Sequence, residues 1–96
     1  MYEKWTIAEG DEKIVAKLNL KSNEVSVGGL THFSAFIDHI ISEIFEQDLD
    51  AMHNTHTQKV RLKYTFKYTK TAWRKAIEYM NENYIIEKVK AHGRLM

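Results

Sequence analysis

The sequence predicts an α+β domain in which an antiparallel sheet of four or five strands carries two helices on one face. Three observations predict it. Two stretches, residues 1–28 and 59–69, alternate apolar and polar side chains with period two, the signature of strands with one buried face. Between them, Phe33, Phe36, Ile37, Ile40, Ile41, Ile44, Phe45, Leu49 and Met52 recur at steps of three and four, as one side of an α-helix does. A second stretch, with Trp73, Ala76, Ile77, Met80 and Tyr84 on one side, repeats that spacing. The implied order is β-β-β-α-β-α, and a final β after the second helix would make the fifth strand.

In chain order, Trp5 and Ile7 alternate with Tyr2, Lys4 and Thr6, which predicts a first strand. Glu9-Gly10-Asp11 supplies turn chemistry. Ile14, Ala16, Leu18 and Leu20 then oppose Val15, Lys17, Asn19 and Lys21 in a second strand. After the turn Ser22-Asn23, Val25 and Val27 alternate with Glu24 and Ser26 in a third, which Gly28 and Gly29 are expected to break. These strands form a meander. The long helix is expected from Thr31, whose hydroxyl can cap the first turn, to Met52, with Asp38, His39, Glu43, Glu46 and Asp50 on its outer side. The run from His53 to Thr57 reads as a polar loop. Val60, Leu62, Tyr64, Phe66 and Tyr68 alternate with Lys59, Arg61, Lys63, Thr65, Lys67 and Thr69, a long fourth strand. Either Thr69 or Thr71 can cap the second helix, and Arg74, Lys75, Glu78 and Glu82 lie outside. From Tyr84 to Ala91 the spacing allows a strand or a continuing helix; the interruption at Asn81 to Asn83 favours a strand. Residues 92–96 are expected to form a flexible tail.

Ninety-six residues with 44% hydrophobic content suit one domain over 1–96 with one core. The chain has no cysteine, which excludes a disulfide framework, a thiolate metal site and a cysteine nucleophile. No window approaches the roughly 18 apolar residues that span a bilayer, and no signal-like run opens the chain. The expectation is therefore a soluble, unprocessed, cytoplasmic protein with no membrane partner. The net charge of +1 conceals a segregation. Residues 1–56 hold four lysines against ten acidic residues, a net of −6, whereas residues 57–96 hold ten Lys or Arg against three Glu, a net of +7. Such asymmetry between halves points to an electrostatic partner.

With both helices on one face, the other face of the sheet is open. Period two assigns to it Lys4, Lys17, Lys21, Lys59, Arg61, Lys63 and Lys67, with Glu24 as its only acid. A flat array of seven cations suits a phosphate backbone, because each contact releases condensed counterions. Nucleic acid is accordingly the expected partner. Lysines alternating along a strand also serve simply as a solvated, aggregation-resistant face. Tyr64, Phe66 and Tyr68 belong to the apolar side, leaving only Tyr2 outward, so contact with the backbone is expected rather than base reading.

The alternative partner is a protein. Asp38, Glu43, Glu46 and Asp50, on the outer side of the long helix, could engage a basic surface as an adaptor or inhibitor does, or a second copy in a homodimer. Other constellations are less specific. His53-x-x-His56 follows Asp48 and Asp50, but such a pair in a polar loop is a poor metal site. His39 is placed to pair with Glu43 one turn away, and Asp50 with His53, yet neither pair comes with a pocket. No phosphate-cradling glycine loop, Gly-x-Ser-x-Gly turn or His-Glu-x-x-His helix is present. The expected function is non-enzymatic binding, without metal or cofactor.

Overall fold

The computed structural model describes residues 1–52, 54–56 and 60–89. Strands β1 (Tyr2–Glu9), β2 (Glu12–Asn19) and β3 (Glu24–Leu30) form the expected meander. Gly10, at φ 61°, turns β1 into β2, and Asn23, at φ 58°, turns β2 into β3. A short β4 (Asn54–His56) and β5 (Arg61–Lys67) follow the first helix, and β6 (Ile85–Val89) follows the second. The sheet order is β4-β5-β3-β2-β1-β6, with every pairing antiparallel. The final strand is therefore real, and it closes onto β1 rather than extending the far edge. The segment Asn54–His56, expected within a loop, adds a sixth strand by pairing with β5.

The covered face of the sheet carries Ile7, Ile14, Ala16, Leu18, Val25, Val27, Leu62, Tyr64 and Phe66, all buried. Against them pack the helices, contributing Phe36, Ile37, Ile40 and Ile41 from the first and Ala76 and Met80 from the second, in one core cluster. Helix α2 (Lys70–Asn83) starts where Thr69 caps it, the Thr69 hydroxyl accepting from the Ala72 amide at 3.0 Å. It continues through Asn81 to Asn83 and ends before Tyr84.

The first helix departs from expectation. It opens as a 3-10 turn (Thr31–Phe33), runs as α-helix α1 (Ser34–His39) and widens into a π-helical turn (Ile40–Ile44). Its N-cap position falls on Leu30, without a side-chain cap, rather than on Thr31. Glu46 then takes a left-handed conformation, φ 55°, at the place where glycine commonly terminates helices. The Phe45 amide donates to the Ile40 carbonyl and the Gln47 amide to that of Ile41, so the widened register satisfies the end of the helix. A separate 3-10 turn, Leu49–Ala51, is capped by the Asp48 carboxylate accepting from the Asp50 amide at 3.0 Å. The apolar stripe nonetheless faces the core along its whole length, buried at Phe36, Ile37, Ile40, Ile41 and Phe45 and partly buried at Phe33 and Ile44, and Leu49 and Met52 pack against the same cluster. Burial follows the apolar residues even where the helical period does not.

Gly28 and Gly29 also behave differently from expectation, for they lie within β3 and pair with β5 instead of breaking the strand. A Cβ on Gly28 would collide with the Leu62 carbonyl oxygen and sit 3.0 Å from the Lys63 Cα. Glycine is what lets the two backbones approach so closely.

Candidate functional site

Residues directly paired in an antiparallel ladder point to the same face. One row across β1, β2, β3 and β5 is Lys4, Lys17, Ser26 and Thr65; the next is Thr6, Val15, Gly28 and Lys63; a third is Tyr2, Asn19, Glu24 and Lys67. All three lie on the face away from the helices. Here Lys4, Lys17, Arg61 and Lys63, all exposed, line a depression of about 440 Å³ floored by Val15, Gly28 and Gly29. Among the described residues, no carboxylate lines it. The missing side chain at Gly28 deepens the floor as well as admitting β5.

Beside it lies a smaller hollow of about 190 Å³ that shares Lys17, Ser26 and Lys63 and adds Tyr2, Glu24 and Thr65. The Lys17 ammonium stands 4.8 Å from the centroid of the Tyr2 ring, a cation–π contact. The Ser26 and Thr65 hydroxyls, 3.0 Å apart, tie β3 to β5 across this face. Glu24, the acid expected here, accepts from the Ser22 hydroxyl at 3.2 Å and is the cross-strand neighbour of Lys67.

The electrostatics of the depression are unbalanced. Lys4 and Lys17 are direct cross-strand partners, and like charges so placed repel. None of the four cations forms an ion pair among the described residues, where the ion pair seen is Lys88 with Glu3 at 3.3 Å. A bound polyanion would relieve that repulsion.

Of the seven cations read from the sequence, four converge on the depression. Lys67 sits at the margin, opposite Glu24. Lys21 belongs to the turn after β2, where its amide donates to the Asn19 side-chain carbonyl at 3.0 Å, and it does not line the depression. Lys59 lies outside the described residues. Period two gives no hint that β6 adds Glu87 to the row of Thr6, nor that Val15 and the glycines make the floor.

The acidic residues are more scattered than one helical face requires. Asp38 is half-buried on α1, with its Oδ1 enclosed and without a partner among the described residues. Glu43 is exposed on the π-helical turn, Glu46 occupies the left-handed residue after it, and Asp50 belongs to the following 3-10 turn. Breaking the helix at Phe45 dismantles the continuous acidic surface. His39 does not pair with Glu43; its Nε2 lies 3.1 Å from the Tyr84 hydroxyl. Burial, and after it the Glu9 carboxylate, raises the Tyr84 pKa. His53 and the side chain of His56 lie outside the described residues; among those described, no group of three or more His, Asp or Glu could hold a metal.

No helix among the described residues is long and apolar enough to cross a membrane. Comparison of the chain with protein-family profiles, with curated proteins and with solved structures finds no match.

Proposed function

We propose that this chain is a cytoplasmic, non-enzymatic binding protein that engages nucleic acid through the open face of its sheet. The observation that carries the reading is the carboxylate-free depression lined by Lys4, Lys17, Arg61 and Lys63, with two of those lysines held directly opposite each other. Phosphate oxygens set between such cations offset a repulsion that the folded chain otherwise bears, and counterion release adds to it. Contact is with the backbone; a face whose one outward aromatic ring is Tyr2, already covered on one side by Lys17, has little with which to read bases.

The test is binding of labelled DNA and RNA by anisotropy over a range of salt. Four phosphate contacts correspond to a log–log salt slope of about −3.6 on duplex DNA. Reversing Arg61→Glu and Lys63→Glu together is expected to abolish binding in a folded chain, whereas Glu43→Lys with Glu46→Lys leaves it intact. Binding that survives the first pair, or that shows no salt dependence, ends this reading.

A further inference from the structure

A second concavity, of about 490 Å³, lies on the helix side of the sheet, remote from the cationic depression. Its walls are Trp5, Leu18, Leu20, Tyr68, Trp73 and Ile77. Trp73 is held rigidly there. It meets Trp5 edge-on, with centroids 6.0 Å apart, and Tyr68 at 6.1 Å; from another side Phe45 stacks on it at 5.7 Å and 10° between planes. Such a wall is preorganised, so a flat ring settling on it orders few side chains.

The charges at the mouth choose the ligand. Glu3, which lines the cleft, is already engaged: it accepts from the Trp5 indole N–H at 3.2 Å and from the Lys88 ammonium at 3.3 Å. Lys70 and Arg74 also line it, are exposed, and make no ion pair among the described residues. Four residues apart on α2, they stand side by side. The cleft therefore presents aromatic walls beneath two uncompensated cations, and its volume falls in the range of small-ligand sites, about 300–1,000 Å³.

We propose that this cleft binds a small aromatic carboxylate, its ring against Trp5, Tyr68 and Trp73 and its carboxylate held by Lys70 and Arg74. Arg74 supplies the planar fork that matches a carboxylate, and Lys70 a second point charge. The site is independent of nucleic-acid binding, since the sheet separates the two.

Trp5 and Trp73 are the two tryptophans of the chain, so tryptophan emission, excited selectively over the five tyrosines, reports on this cleft. Titration of the full chain with phenylacetate should change tryptophan emission saturably, while phenethylammonium, a cation without the carboxylate, and acetate, without the ring, should not. The double variant Lys70→Gln, Arg74→Gln, which alters only exposed side chains, should bind phenylacetate about tenfold more weakly. Lys70→Arg should retain binding. The proposal is overturned if phenylacetate gives no saturable change, if phenethylammonium binds as well, or if the glutamine variant binds as tightly as the parent.

Discussion

The two faces of the sheet are made from the same strands and obey opposite rules. On the covered face, apolar side chains from β1, β2, β3 and β5 meet those of the helices and leave almost no accessible surface: Ile7, Ile14, Val25 and Ile37 are all at 0%. On the open face the alternate residues of those strands include the exposed cations Lys4, Lys17, Arg61 and Lys63, arranged around a floor of Val15 and two glycines. The first face gains free energy by excluding water. The second bears unrelieved repulsion, tolerable because water screens it. Apolar burial therefore resides on one side of the sheet, and unpaired cations on the other.

Mutations can break this division, and the largest effect is expected where burial is complete. Ile41→Ala should cost about 3 kcal/mol in chemical denaturation, by lost transfer energy and a residual cavity, whereas the Arg61→Glu, Lys63→Glu pair should change stability by no more than about 0.5 kcal/mol. Equal costs would show that the open face also holds the fold. Gly28→Ala comes next, at about 2 kcal/mol, because the added methyl meets the backbone of Leu62, which cannot move aside as a flexible side chain would. A neutral outcome there would mean that β3 and β5 are farther apart than the structure places them. Thr69→Ala should cost about 1 kcal/mol through loss of the cap on α2, and a result near zero would assign the start of that helix to packing alone.

The smallest effect concerns alkaline pH. Tyr68 and Tyr84 both have a pKa raised above 10.0, in each case first by burial and then by a nearby carboxylate, Glu3 for Tyr68 and Glu9 for Tyr84. An acid with a raised folded-state pKa keeps its proton longer when folded than when unfolded. Above the unfolded value the folded chain thus binds more protons, and stability must fall as pH rises. Melting temperature should be insensitive to these groups below about pH 9 and decline above about pH 10. Replacing Tyr68 by Phe should lessen the alkaline decline, and an unchanged slope would remove Tyr68 as its source.

Much of this division was legible in the residues themselves. Alternation sorted Lys4, Lys17, Arg61 and Lys63 onto one face because a pleated strand admits no other arrangement once Ile14, Leu18, Leu62 and Phe66 are inside. The same logic failed for Lys21, since alternation continues in the sequence past Asn19 although the strand ends there, in a turn satisfied by the Asn19 side chain. It failed again for the acidic surface. The spacing of Phe33 to Met52 is helical throughout, but spacing records which residues are buried, and a chain can bury Leu49 and Met52 through a turn as well as through another helical turn.

What the sequence determined by itself is the sidedness of each element: which residues exclude water, and that strands and helices suit an α+β domain with both helices on one face. Period and polarity are local properties, and burial enforces them locally. What only the tertiary structure decided is which elements are neighbours beyond the expected meander. The place of β6 beside β1, the close approach of β5 to Gly28, and the meeting of Trp5 with Trp73 and Tyr68 all join residues far apart in the chain. Both concavities belong to this second class. A hollow is the space left between elements, and only their mutual placement creates it.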